Sequence, residues 1–266
     1  PSTGEKIWSQ RLSGAGNNTP IFNDGMVYLV SGDSQAQAMD AEKGRVKWKV
    51  DGVGSETNLI SNNAPAVSEK YALFGFGNGE IYATFKKGGF VLWSSSLTGR
   101  NDSRVISAID DIVASPVIIG RNVYAADGSG KVVSLRIESG ERNWTAPFGS
   151  SGNFWIMGKS LFFISDTNKL VRLEMKTGKT VWITELPSFS QKRVLRSKKT
   201  NQHYGPIFAG SQLIIASSDG YFRFYDPKTG EQKSKLKIKA GATANPIVAN
   251  EMLYLITKDG HLRAFR

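Results

Sequence analysis

Six glycines recur where a turn runs into a strand-like run: Gly4, Gly44, Gly89, Gly140, Gly178 and Gly230. Five are followed four residues later by tryptophan, at Trp8, Trp48, Trp93, Trp144 and Trp182, and Ser234 takes that place after Gly230. A chain that spends five of its six tryptophans at one offset is a repeat protein, and the spacing of 38 to 52 residues between glycines decides its fold. Pro20, Pro65, Pro116 and Pro206 each precede their glycine by 24 residues, and Pro246 opens a further copy. The fourth copy lacks the proline and has Trp155 near that place. A third marker lies 13 residues after each proline, at Asp33, Asn78, Ser129, Asp219 and Asp259. The register inside a copy is therefore rigid, and the length varies only between a glycine and the next proline.

Each copy reads as four short strands. In the first, Thr19–Phe22, Met26–Val30, Ala36–Met39 and Val46–Val50 are β-branched or aromatic runs separated by Asn-Asp-Gly, Gly-Asp-Ser and Glu-Lys-Gly turns. No stretch keeps helical apolar spacing for as long as ten residues. Four strands in a period of 40 to 50 residues mark a blade of an all-β, β-propeller fold. The glycine supplies the positive φ of a tight hairpin. The tryptophan falls on the outermost strand, where a large ring covers the seam to the next blade. Propellers of 266 residues form single domains, so one domain over 1–266 is expected. Its blades would lie at about 13–52, 53–99, 100–149, 150–187, 188–238 and 239–266, with 1–12 as the outer strand of a preceding or closing blade. The turn Pro1-Ser2-Thr3-Gly4-Glu5 repeats Pro227-Lys228-Thr229-Gly230-Glu231, which joins a third strand to a fourth. A closing strand has no use for such a turn, which favours a longer parent with further blades upstream.

There is no cysteine, which excludes a disulfide framework, a zinc ribbon and a thiol nucleophile. No apolar run approaches the 18 residues of a membrane span. His203 and His261 lie in different copies without metalloprotease spacing, and neither a G-x-S-x-G elbow nor a Walker loop is present.

Segments such as Ala38-Met39-Asp40-Ala41-Glu42-Lys43-Gly44-Arg45-Val46-Lys47-Trp48 resemble the PQQ-type propeller repeat of quinoprotein dehydrogenases and several non-catalytic propellers. Within that superfamily the chain resembles the BamB-like proteins of the outer-membrane β-barrel assembly machinery. The more specific parts are residues 107–117, with Asp110-Asp111-Ile112-Val113-Ala114-Ser115-Pro116, and residues 253–264. The resemblance implies that these are the last six blades of an eight-bladed lipoprotein. Its lipid anchor would lie upstream, on the periplasmic side of the outer membrane of a Gram-negative bacterium. It further implies a non-catalytic scaffold that binds a POTRA domain of the barrel-inserting subunit, and also nascent outer-membrane proteins, with no cofactor, no metal and no nucleic acid.

Function in a propeller sits on the face where blades connect and second-to-third-strand turns emerge. The longest connections are 55–64, 100–115 and 188–205. The second mixes Asp102, Arg104, Asp110 and Asp111 with isoleucine and valine, which suits either a protein-binding surface or an apolar cap with solvated aspartates. The resemblance implies partner binding at Leu59 in the first connection and Asp111 in the second, with Ile60 beside Leu59 and Asp110 supplying a second charge from the adjacent position. Ile60 replaces an arginine often found there, and Val113 replaces a second acidic residue. The third connection carries Lys192, Arg193, Arg196, Lys198 and Lys199. That run, with His203-Tyr204 nearby, reads as a solvated loop on a basic protein, as one drawn to an acidic partner or anionic head groups, or as a nucleic-acid patch, for which a cluster without interleaved aromatics is a weak signal. The alternative function is a ligand-binding or degenerate quinoprotein propeller. Against it, the sequence has neither the adjacent cysteines typical of the enzymes nor a Glu/Asn/Asp cluster suited to calcium.

Overall fold

A computed structural model describes residues 3–14, 18–53, 64–97, 114–127, 130–150, 152–189 and 200–266. Among these residues all regular structure is strand, in antiparallel sheets built from strands consecutive in the chain. The fold is all-β, made of β-propeller blades. The chain divides into two compact units, Pro1–Gly149 and Ser150–Arg266. The first unit holds three four-stranded blades: β1 (Ile21–Asn23), β2 (Met26–Val30), β3 (Gln35–Asp40) and β4 (Val46–Asp51); β5 (Ala66–Val67), β6 (Tyr71–Gly75), β7 (Glu80–Phe85) and β8 (Val91–Ser96); β9 (Val117–Ile119), β10 (Asn122–Ala126), β11 (Val132–Arg136) and β12 (Arg142–Ala146). The second holds β13 (Trp155–Met157), β14 (Ser160–Ile164), β15 (Lys169–Glu174) and β16 (Thr180–Glu185), then β17 (His203–Ala209), β18 (Gln212–Ser217), β19 (Tyr221–Tyr225) and β20 (Gln232–Lys237). Its last sheet has three strands, β21 (Ile247–Ala249), β22 (Met252–Ile256) and β23 (Leu262–Phe265).

In the four-stranded blades the second and third strands are largely buried on both faces, which is why they read as near-continuous apolar runs. In β6, Ala72 and Phe74 pack against Tyr28, Ala36 and Ala38 of the first blade. The intervening Leu73 packs against Val123, Val133 and Leu135 of the third. In the second unit Leu213 and Ile215 of β18 meet Phe162 and Leu170, while Ile214 and Ala216 meet Leu255. The hydrophobic core is thus a series of seams between blades, each filled from two sides.

The repeat glycines explain how the seams close. All six have positive φ, between 66° and 75°. Four of them also lie under an indole ring. A Cβ on Gly44 would stand 2.6 Å from the Trp8 ring, on Gly89 2.5 Å from Trp48, on Gly140 2.6 Å from Trp93 and on Gly230 2.6 Å from Trp182. The same rings donate their Nε1–H to the carbonyl three residues before the glycine. The acceptors are Ala41 for Trp8 (2.8 Å), Lys86 for Trp48 (3.2 Å), Ile137 for Trp93 (2.8 Å) and Pro227 for Trp182 (3.2 Å). Each ring therefore buries apolar area at the rim of a seam while its one donor stays satisfied.

The hairpin that presents the glycine is built locally. In the first blade Gly44 N–H donates to Asp40 O, and the Asp40 carboxylate accepts from the Glu42 and Lys43 amides. Asp226 does the same for Lys228 and Thr229 ahead of Gly230. A one-residue bulge follows in all five four-stranded repeats, at Ala38/Met39, Ala83/Thr84, Ser134/Leu135, Arg172/Leu173 and Phe224/Tyr225. The bulge puts each tryptophan opposite a residue of the third strand: Trp48 faces Ala38, Trp93 faces Ala83 and Trp144 faces Ser134. In the fifth blade the sizes are exchanged, with Ser234 opposite Phe224. The phenylalanine restores only part of the lost ring volume. A recess of about 480 Å³ remains between the fifth and sixth blades, lined by Phe224, Leu236, Val248, Leu253 and Phe265.

This geometry separates backbone strain from steric exclusion. Gly25 has φ +72°, and a Cβ added there would meet nothing within 4 Å, whereas Gly89 has φ +71° and lies under Trp48. Gly25→Ala should cost about 1–2 kcal/mol from the left-handed backbone alone. Gly89→Ala should add displacement of the indole, for roughly 2–5 kcal/mol in total. Urea unfolding of the two variants checks the difference, and equal losses would mean that the ring does not need the missing side chain.

Candidate protein-docking surface

In an antiparallel four-stranded blade the connection from the outer strand to the next blade leaves from the same end as the turn between the second and third strands. The structure ties the two together in one repeated bond. The residue four after the tryptophan position donates its amide to that turn: Gly52 to Ser34 O (2.8 Å), Leu97 to Gly79 O (2.9 Å), Leu186 to Asn168 O (2.9 Å) and Ile238 to Gly220 O (2.8 Å). Each of these connections therefore starts from a fixed point beside its own turn. Gly52 is glycine where the others are leucine or isoleucine because Phe76 occupies its Cβ space, at 2.3 Å.

The sequence-assigned residues Leu59, Ile60, Asp110 and Asp111 lie outside the described residues, as does the basic run 191–199. What the structure places is the frame around them. Connection 52–65 delivers the chain to β5 and connection 97–116 delivers it to β9, and β5 lies beside both β1 and β9. Ala64 N–H donates to Ser115 Oγ at 2.8 Å, so the incoming ends of the two connections are joined directly. Ala114 beside it is fully buried. The described ends of the two connections, Ala64 and Ser115, thus meet within the Pro1–Gly149 unit.

Of the third marker, Ser129 lies outside the described residues, and Asn78, Asp219 and Asp259 are engaged within the fold. Asn78 accepts from the Glu80 amide and donates to its carboxylate (2.8 Å). Asp219 pairs with Arg223, and both side chains are nearly buried. Asp259 accepts from Thr257 Oγ1 (2.6 Å) and Arg263 (2.8 Å), and these contacts, the threonine first, hold its carboxyl down to about 2. These carboxylates stabilise their own turns and leave little capacity for a ligand. Among the described residues, no group of three or more His, Asp or Glu side chains is placed to hold a metal ion.

One polar cluster has a role other than the surface position its sequence suggests. His203, at the start of β17, is 8% exposed and closes the stem of the third connection. Its Nε2 faces Pro187 O at 3.2 Å and therefore carries the proton, so Nδ1 accepts from Ser217 Oγ at 2.7 Å. Asn201 donates its amide to Ser188 O and its side chain to Pro187 O at 2.8 Å. Ser217 is completely buried and its hydroxyl is spent on the histidine. The pair is a clamp, since no substrate can reach that hydroxyl.

Residues 1–184 match the family model described as outer membrane protein assembly factor BamB. The chain belongs to the BamB family. It is 23% identical over 263 residues to BamB of Yersinia pestis, covering 98% of this chain and 64% of that protein. The chain thus spans a little under two thirds of the length of that relative. The crystal structure of BamB from Moraxella catarrhalis superposes with a TM-score of 0.83 at 19% identity, over 98% of this chain and 76% of that one. A quinohemoprotein alcohol dehydrogenase from Pseudomonas putida HK5 superposes with a TM-score of 0.65 at 17% identity, over 86% and 43%. At such identities both structures speak to the fold alone. The resemblance to BamB-like proteins and the expectation of an all-β propeller both stand.

Burial is the main influence on His203, and it holds the imidazole below its ordinary value of 6.5. The unfolded chain then binds the proton first, so folding stability is full above pH 6.5 and falls as the pH drops below it, until the folded imidazole also protonates. Urea midpoints measured downward from pH 7.5 should decline more steeply for the parent than for His203→Gln. Parallel pH profiles would mean that the histidine is not held neutral by the clamp.

Proposed function

We propose that this chain is a non-catalytic accessory scaffold in the assembly of β-barrel proteins into the outer membrane, acting on the periplasmic side. It docks a POTRA domain of the barrel-inserting subunit through connections 55–64 and 100–115. Leu59 and Ile60 supply the apolar anchor, and Asp110 and Asp111 supply the charge that fixes orientation. Such a mixed patch matches the anatomy of a protein interface, with a desolvated centre and a polar rim.

The observation that carries this reading is the Ala64–Ser115 hydrogen bond. It ties two long connections from neighbouring blades at their incoming ends, so residues on both can meet one partner. Family membership supports the process, since the relatives are named as outer membrane protein assembly factors. A scaffold reading also agrees with the fate of the described polar groups. The turn carboxylates and the buried serine–histidine pair are engaged within the fold, and what is left to vary is the connecting loops.

The test is a pull-down of separate POTRA domains on the immobilised chain. Asp111→Arg should weaken capture of one domain by tenfold or more, about 1.4 kcal/mol or above, while the urea midpoint stays unchanged. Ser115→Ala should cost about 1 kcal/mol of stability and weaken capture as well, because the Ala64 amide loses its acceptor. Capture unaffected by Asp111→Arg would remove that residue from the site. Absence of capture of every POTRA domain would remove the proposed partner.

A further inference from the structure

The charge of the chain is segregated. The Pro1–Gly149 unit carries as many acidic as basic side chains, so the whole formal charge of +11 resides in Ser150–Arg266. Part of it lies in the run 191–199, and another part is ordered on the fifth blade. Every residue of β20 is exposed, whereas the outer strands β4, β8, β12 and β16 all alternate with partly buried positions. The outward row can be compared blade by blade, at one before, one after and three after the tryptophan position. It reads Lys47, Lys49, Asp51 in the first blade and Leu92, Ser94, Ser96 in the second. The third has Asn143, Thr145, Pro147 and the fourth Val181, Ile183, Glu185. In the fifth it is Lys233, Lys235, Lys237, and Lys239 follows at the same period.

Lys233 is engaged with Asp226 and Glu231, each at 3.6 Å. Lys235, Lys237 and Lys239 have no carboxylate within 4.0 Å among the described residues. Lys235 is instead steered by Tyr221, with its Nζ 5.0 Å from the ring centroid, and Lys235 and Lys237 stand opposite Arg223 and Tyr221 in the strand register. Arg223 is already neutralised by Asp219. Lys235 and Lys237 thus stand on one sheet edge about 7 Å apart, two residues of strand, and Lys239 follows in the turn just past the end of β20.

A lone lysine on an edge strand serves to block pairing with other strands. Three in a row without counter-charges, on the unit that holds all the net charge, exceed that need. We propose that the outer edge of the fifth blade is a membrane-surface contact that takes the anionic headgroups of phospholipids. The lysines are long-stemmed and exposed, so they impose little fixed geometry on what they bind. A laterally mobile array of headgroup phosphates meets that condition, and a single shaped acidic protein surface does not. The contact would set which side of the chain faces the bilayer, independently of the loops proposed for POTRA docking, which belong to the other unit.

The test is co-sedimentation of the full chain with vesicles of phosphatidylcholine, with and without phosphatidylglycerol. Binding is expected only with phosphatidylglycerol, and it should be lost as salt rises from about 0.1 M to 1 M. The triple variant Lys235→Gln, Lys237→Gln, Lys239→Gln should lower the partition coefficient about a hundredfold, roughly fivefold per lysine. Its strand signature in circular dichroism and its urea midpoint should match the parent, because the three side chains are exposed. The variant Lys192→Gln, Arg193→Gln, Arg196→Gln should have a smaller effect. No binding to phosphatidylglycerol vesicles, or equal binding by the β20 triple variant, would overturn the proposal. So would loss of binding in the loop variant alone, or tighter binding of polyglutamate than of the vesicles, which would indicate an acidic protein partner.

Discussion

The structure depends on an indole ring lying against a glycine that has no side chain to obstruct it. Four rings make the same pair of contacts, one with the glycine surface and one with the carbonyl three residues earlier. Each contact joins a ring to the hairpin of the following blade, and the glycine serves two needs at once. Its positive φ turns the chain, and its bare Cα admits the ring. Neither need alone would require glycine so strictly, since Asp24 and Asn168 also adopt positive φ where space allows. The rigid offset between glycine and tryptophan follows, because bulge, hairpin and ring must keep one register for the docking to close.

That economy decides where function can reside. The middle strands are buried on both faces, and the marker carboxylates are engaged in their own turns. In four of the five four-stranded blades the amide leaving the outer strand is bound to the neighbouring turn, so the connection there can change in length without disturbing the blade. Chemistry that needs convergent, unspent polar groups has little to work with among the described residues. Recognition through loops and through the outer edges needs only what is left.

Much of this was legible in the sequence because the repeat is enforced by backbone geometry. The glycine–tryptophan offset predicted the docking strand, and the strands Met26–Val30 and Val46–Val50 were readable from β-branched and aromatic content. The start of β1 was less so: Pro20 precedes the strand, which begins at Ile21, because proline has no amide to offer the ladder. The joining of the two loops was invisible, since Ser115 is an ordinary serine before a proline and its partner is an amide 51 residues away. The role of His203 was hidden for a related reason. A histidine beside a basic run suggests a surface, and only burial and two partners from distant positions reveal a clamp. The exchange of Trp and Ala for Ser234 and Phe224 was half visible, as a missing ring without its compensation.

That exchange has a mechanical consequence. Blades joined only through their shared seams behave as links in series, each holding with its own strength. Three links within the two units are fastened by a ring locked to a glycine, whereas the one between the fifth and sixth blades has a hydroxymethyl group and an unfilled hollow. Thermal breathing should concentrate there, and amide protons of β22 and β23 should exchange with solvent ahead of those of β6 and β7. Among the links inside the two units, the least tenacious is thus set by a single serine.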